Sequence, residues 1–524
     1  MLPSGGSWPA CVASAAAALL VAAVVVRLFF SAVRSSSGHK RPATEGCTAH
    51  ARLPAGSLGW PLVGETPAFI AAAYSPRPES FVEKRRLLYG KVFKSHLWGS
   101  PAVVSSDAEV SRAVLQADAS AFVPWYPRSL MELMGQSSIL VLGGALQRRV
   151  HGLAGAFFKS PQLKAQVTAG MQRRVGRAMD AWTRGGGGSP VRVQDEAKSS
   201  MYPEFLITIF WKRKLDAIVF EILVKALIGL EAGPEMQYLK QQFHEFIAGL
   251  ISLPIKLPGT QLYRSLKAKK RMTRLIQKII QEKRRRIILE EGSRHQSRTP
   301  RDMIDVLLSN GSEELTDELI SDNMIDFMIP AEDSVPVLIT LAVKYLSGCP
   351  RAIRQLEEEN MELKRRKTDR GETPEWTDYM SLTFTQHVIT ETLRLGNIIS
   401  GIMRKAVRDV EVRGHLIPKG WCVLVYFRAV HLDAAVHGEP HAFDPWRWKD
   451  QRPDATTSGG GGAFTPFGGG QRLCPGLDLA RLEASIFLHH LVTNFRWVAE
   501  EDTIVNFPTV RLKRGMPIAV TPRA

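Results

Sequence analysis

Phe467-Gly468-Gly469-Gly470-Gln471-Arg472-Leu473-Cys474-Pro475-Gly476 is the stretch on which the reading of this chain turns. A cysteine that acts as a thiolate ligand must be shielded from water, approached by backbone amides and set near a positive group. Glycine has no Cβ, so a loop built from it can pass close to the face of a flat ligand. Arg472 can give charge-assisted hydrogen bonds to a carboxylate of that ligand. A helix beginning near Leu477 aims its positive end at the sulfur and favours the thiolate. Phe467 can keep water from the sulfur. A lone buried cysteine in a glycine-rich turn needs none of this, so the combination marks Cys474 as a metal ligand.

Working outward, Glu391-Thr392-Leu393-Arg394 places an acid and a base at i, i+3, on one face of a predicted helix over Ser381–Arg394. Between it and the cysteine lies Phe443-Asp444-Pro445-Trp446-Arg447-Trp448. Further upstream, Pro330 and Pro336 flank Ala331-Glu332-Asp333-Ser334 inside a long helix predicted over Thr316–Leu346. Two prolines inside a helix break its hydrogen-bond ladder and open a kink. An acid beside a hydroxyl at such a kink, here Asp333 and Ser334, is placed to relay protons.

These elements together resemble the cytochrome P-450 family. FGGGQRLCPG matches the family's haem-binding pattern F-x-x-G-x-R-x-C-x-G at every fixed position, and FDPWRW is similar to its F-x-P-x-R-W element. The resemblance implies a mainly α fold with small β-sheets over residues 65–524, and haem b as cofactor. It makes Cys474 the iron ligand, within a haem-binding set of Phe467, Arg472, Cys474 and Gly476. Thiolate ligation pushes electron density onto iron and favours O–O cleavage. It also implies that Arg447 joins Glu391 and Arg394 in a buried network that locks the haem loop, and that Asp333 and Ser334 are catalytic, with Ser in the usual Thr position. The helix that holds the propionates departs from the family pattern, with Gln147 and His151 where Trp or His and then Arg are usual. Arg404 is the stronger propionate candidate.

Within the family, MIPAEDSVPVLITLAVKYLS, RLGNIISGIMRKA and IPKGWCVLVYFRAVHLD are similar to the plant branch that hydroxylates steroid side chains in brassinosteroid synthesis, above all the group acting at C-23. From the residues alone, Ala331, Val335, Ile398, Ile399, Gly401 and Ile402 offer an apolar lining that suits a rigid hydrophobic ligand. The carbon oxidised rests on the resemblance. Hydroxylation at C-22 or elsewhere on a sterol is the alternative. So is an inactive haem-binding form, because residues 199–216 (SSMYPEFLITIFWKRKLD) interrupt two segments that run on continuously in that group. A haem-thiolate isomerase or dehydratase is a further class, against which the Asp333–Ser334 pair argues.

Composition fits this reading. Lys and Arg outnumber Asp and Glu by 68 to 51, a net charge of +17. No zinc-finger spacing or RNP-type aromatic motif accompanies that excess, which disfavours nucleic acid. A membrane surface or an acidic protein partner remains, and the basic run Lys267–Arg286 falls on a predicted amphipathic helix. No GxGxxG unit is apparent, so NADPH electrons are expected from a separate NADPH–cytochrome P-450 reductase. The 5 cysteines are scattered without paired spacing, which fits a reducing compartment. Trp8–Val26 is a 19-residue run without charge, followed by Arg27, Arg34, Lys40 and Arg41. It reads as a single transmembrane signal anchor within residues 1–34, joined by a Pro/Gly-rich hinge over 35–64 to a cytosolic catalytic domain at the endoplasmic reticulum.

Overall fold

The computed structural model describes residues 51–61, 63–184, 218–250, 252–291, 300–310, 315–450, 463–507 and 509–523. The expected anchor over 1–34, much of the hinge and the 199–216 insertion lie outside them. Among the described residues no helix is long and apolar enough to cross a membrane.

The architecture is mainly helical, with small sheets to one side. Strands β1 (Val92–Leu97), β2 (Ser100–Ser105), β3 (Phe122–Pro124), β4 (Ile402–Ala406) and β5 (Cys422–Val425) form a sheet in the order β1-β2-β5-β4-β3. All pairs are antiparallel except β2 with β5, where Ala102 faces Cys422 and Ser105 faces Val425. The helices that frame the interior are α1 (Gly144–Lys159), α2 (Asp317–Asp333), α3 (Val335–Ser347), α4 (Thr383–Gly396) and α5 (Leu477–Asn494).

α5 begins where the sequence placed it and is buried on nearly every face, from Leu477 and Leu479 to Leu491 and Val492. A helix apolar all round belongs at the centre of a large domain. α3 and α4 pack against each other and both against α5. α4 stops at Asn397, whose left-handed φ of 43° closes the helix, as expected for a small polar residue at that position. Its side chain returns a hydrogen bond to the Arg394 carbonyl at 2.6 Å.

Two sequence expectations need correction. The helix over Thr316–Leu346 is two helices, α2 and α3, meeting at Ser334, whose φ and ψ are −104° and −56°. Pro330 has no N–H for the Asp326 carbonyl and Pro336 none for that of Glu332, so the ladder fails twice within two turns. A strand over Ala406–Val412, which the apolar residues of that stretch lead one to expect, is also two elements. β4 ends at Ala406, and Val410–Val412 pairs with His415–Ile417 instead. Arg413 and Gly414, at φ 52° and 79°, form the two-residue turn between them, the positive-φ pairing that suits a tight hairpin.

Several histidines are enclosed as neutral rings. Burial pulls His431 and His489 down to about 3, and His437 and His490 down to about 4. The unfolded chain binds protons at these positions from about pH 6.5 downwards, whereas the folded chain does not, so acid favours unfolding. Burial raises Asp326 to about 7 and Glu483 to about 8, and raises Asp302 and Asp322 too, which acts in the opposite sense, but the large shifts number two against four. The melting temperature is therefore expected to fall as pH is lowered from about 6.5 to 4. A scan that stays flat across that window would contradict it.

Candidate haem-thiolate site

The loop ahead of α5 is built as a platform for Cys474. Gly468 and Gly470 take φ of 76° and 64°, which L side chains rarely adopt. At Gly470 a Cβ would also collide with the Leu115 carbonyl, and Gly469 lies against the Leu115 side chain. The sequence suggested that these glycines make room for a flat ligand. Their more direct duty is to let the loop lie against the end of the helix Ala108–Gln116. The Cys474 N–H donates to the Phe467 carbonyl at 3.0 Å, closing the loop on itself. Burial pushes the Cys474 thiol up, while the Gly476 N–H at the start of α5 pulls it down. The second effect is the amide donation that favours a thiolate.

Above the sulfur lies a cavity of about 440 Å³. Cys474, Phe467, Arg472, Gly476, Arg404, Gln147, His151, Ser334, Ala331, Val335, Ile398, Ile399 and Ile402 all line it. The structure thus brings together residues drawn from four separate stretches of sequence. Gly401 is not among the lining residues; a Cβ there would come within 2.7 Å of the Val425 carbonyl, so its smallness serves the sheet. Asp333 ends α2, and its side chain lies outside the described residues.

Two guanidinium groups line the cavity, Arg404 buried and Arg472 half-buried, and desolvation lowers both, Arg472 to about 10. Arg472 donates to the carbonyls of Ile139 at 3.0 Å, Leu140 at 3.4 Å and Leu142. Arg404 faces the Tyr126 hydroxyl. Among the described residues neither has a carboxylate partner. A pair of desolvated cations beside a cysteine therefore has the character of a seat for a dianionic ligand with a metal, and haem with its two propionates fits it. Gln147 and His151, expected as further propionate donors, line the cavity and also hold the loop: Gln147 Nε2 donates to the Gln471 carbonyl at 3.3 Å, and His151 Nε2 lies 2.7 Å from that of Leu473.

The support network is more extensive than the sequence indicated. Glu391 and Arg394 are both 0% exposed. Arg394 Nη2 and Nε meet Glu391 Oε1 and Oε2 at 2.7 and 2.9 Å, a bidentate pair, and Arg447 Nε donates to Oε1 at 3.0 Å. The Asp444 N–H adds 3.0 Å to Oε1, and Trp448 Nε1 adds 2.9 Å to Oε2. The remaining Arg394 donors reach the carbonyls of His431, Pro440 and Ala442.

From Trp448 the contact continues to Phe464, ring centroids 4.8 Å apart, and from Phe464 to His431 at 5.1 Å. His431 Nε2 accepts from the Thr465 N–H at 3.0 Å, so its proton sits on Nδ1 and is donated to Asn397 Oδ1 at 2.7 Å. Thr465 is two residues ahead of Phe467. Trp448 was visible in the FDPWRW motif but carried no role there; His431 and Asn397 carried no motif at all.

Comparison with known proteins agrees with this geometry. Residues 54–513 match the cytochrome P450 family. The chain is 72% identical to cytochrome P450 90D2 of Brachypodium distachyon, over 99% of this chain and 95% of that protein. It is 54% identical to the 3-epi-6-deoxocathasterone 23-monooxygenase CYP90D1 of Arabidopsis thaliana, over 89% of each. The structure of retinoic acid bound cyanobacterial CYP120A1 superposes with a TM-score of 0.72 at 22% identity, covering 90% of this chain and 100% of that one, which supports the fold.

Breaking a buried ion pair from one side leaves an uncompensated charge and costs about 3–5 kcal/mol. Glu391→Ala and Arg394→Ala are each expected to give apoprotein or aggregate, read as haem content per chain after expression. Trp448→Phe removes one hydrogen bond to a charged group, about 1.5–3 kcal/mol. It should fold with a lower melting temperature. Wild-type haem loading and melting in all three would refute the network's role.

Proposed function

The chain belongs to the cytochrome P450 family of haem-binding monooxygenases, and we propose that it hydroxylates the side chain of a brassinosteroid precursor at C-23. The observation that carries this reading is the 54% identity, over 89% of the chain, to a protein named as a steroid 23-monooxygenase. The cavity is consistent with it, being lined by Leu140, Phe158, Leu223, Phe327, Val335 and Ile398 among other apolar groups. Burying a rigid hydrocarbon nucleus against such a lining contributes roughly 25 cal/mol per Å².

In this reading Cys474 holds the iron, and the amide of Gly476 with the start of α5 stabilises its thiolate form. Arg472 and Arg404 hold the propionates. When bound, the haem supplies dioxygen activation and oxygen insertion. Thr340 on α3 donates its hydroxyl to the carbonyl four residues back at 2.6 Å. Among the described residues Ser334 makes no such bond, and it faces the cavity. Ser334 Oγ can therefore receive a proton from Asp333 and hand it into the space above Cys474. The break between α2 and α3 falls at Ser334, beside that space.

NADPH electrons come from a separate reductase. Arg148, exposed on α1 beside the loop, contributes to a basic face for an acidic partner. The uncharged run Trp8–Val26 anchors the chain in the endoplasmic reticulum membrane, with the catalytic domain in the cytosol.

Turnover of a 22-hydroxylated steroid by the full chain with reductase and NADPH should give the 23-hydroxylated product, identified by mass spectrometry and NMR. Oxygen placed at another carbon, or no steroid product from haem-loaded enzyme, would overturn the assignment. The reduced carbon monoxide complex should show the far red-shifted Soret band of thiolate ligation, and Cys474→Ser should lose it. Ser334→Ala is expected to lower product formed per NADPH consumed by roughly tenfold or more, through loss of the proton relay. Unchanged coupling would remove Ser334 from that role.

A further inference from the structure

The cavity holds one polar side chain on its distal wall that neither haem binding nor proton relay uses. Asp326 lies on α2, four and eight residues before Pro330 and Ser334, so the three share one helical face. That places it about 12 Å along the helix axis from Ser334. Asp326, Phe327, Ile329, Pro330 and Ala331 of α2, with Ser334 just past its end, reach the cavity, and Asp326 carries the only carboxyl described among them. Glu483, the cavity's other carboxyl, belongs to α5 and shares the Cys474 side with Leu479 and Ala480.

Asp326 is held where it stands. Its Oδ2 accepts from Ser138 Oγ at 2.5 Å. The neighbouring Asn323 accepts from the Ile139 N–H at 3.0 Å and donates to the Ser137 carbonyl at 2.9 Å. Residues 137–139 are thereby pinned to α2, and Ile139 and Leu140 form the adjoining cavity wall. Asp322, one turn back, is neutralised by Lys269 at 2.9 Å, and Lys269 also donates to the Met134 carbonyl at 2.5 Å. No cation is paired with Asp326 itself among the described residues. Pro330 removes the helical donor from the Asp326 carbonyl as well. Burial raises the carboxyl to about 7, so near neutrality it can both give and accept a hydrogen bond.

A carboxyl with capacity for a further hydrogen bond, fixed in an otherwise apolar wall, is a selectivity device. A site built to bond a hydroxyl disfavours analogues that lack it, because its own polar group is then left unpaired. We propose that Asp326 hydrogen-bonds a hydroxyl of the bound steroid and so selects substrates that carry it. This rests on the steroid reading above. Two hydroxyls of a 22-hydroxylated sterol share the required chemistry, those at C-3 and C-22, and the test separates them.

The experiment titrates haem-loaded full chain with the 3,22-dihydroxy steroid and with its 3-deoxy and 22-deoxy analogues, following the ligand-induced Soret shift. Binding of the parent compound reports on the steroid reading; the ratio between parent and analogue reports on Asp326. Wild type should bind one of the two analogues roughly 10- to 100-fold more weakly than the parent, the loss of one hydrogen bond to a charged or acidic group. That analogue identifies the hydroxyl read. Asp326→Leu should bring the ratio close to one, and Asp326→Asn, which can keep the Ser138 bond, should reduce it. Ser138→Ala loosens the wall but keeps the carboxyl, and should preserve the ratio. Equal affinity of wild type for all three steroids would overturn the proposal without requiring any variant to fold. So would Asp326→Leu with the wild-type ratio, because a merely structural pin weakens every ligand alike.

Discussion

The carboxylate of Glu391 is the fixed point of this molecule. It is fully enclosed, and an enclosed charge is tolerable only when every lone pair is occupied. Arg394, Arg447, Trp448 and the Asp444 amide occupy them. The partners come from two places: Arg394 from the same helix, the other three from residues 444–448. The acid thus dictates where residues 431–448 lie against α4. Through the Trp448–Phe464–His431 stack and the His431–Thr465 bond, it also fixes the entry to the Cys474 loop.

That dependence explains why the loop can be so rich in glycine without being loose. Gly468, Gly469 and Gly470 give up side-chain contacts, and Gly468 and Gly470 need left-handed backbone. The entropy lost in ordering such residues is the largest for any residue type. It is offset from outside the loop: by the aromatic stack ahead of it, by the helix end at Leu115 below it, and by α5 behind it. The metal-binding segment is rigid because its surroundings are rigid.

Much of this was legible in the chain because the chemistry is local. The Cys474 loop, the Glu391–Arg394 spacing and Arg447 are short patterns whose residue types are nearly dictated by their task. The start of helix α5 was readable because glycine and cysteine precede it and an apolar run follows. What was not legible depends on partners remote in sequence. Asp326 reads as one more acid in a helix until Ser138, some 188 positions away, is seen against it. His431 has no motif, and its neutral form follows only from accepting one backbone proton while facing Asn397. The division of the long helix at Ser334 shows the opposite case. Both prolines were noted and a kink was expected, but the number of lost hydrogen bonds decides between a bend and a break. The strand boundary at Ala406 was missed because alternating apolar residues continue past it, while the turn chemistry of Arg413 and Gly414 lies further on.

Arg472 has a double attachment. The same guanidinium that stands beside Cys474 clasps the carbonyls of Ile139, Leu140 and Leu142, and Ile139 and Leu140 also line the cavity next to Asp326. One guanidinium therefore ties the floor of the cavity to its side wall, so a change at Arg472 reaches Ile139 and Leu140 through the protein itself rather than across the cavity.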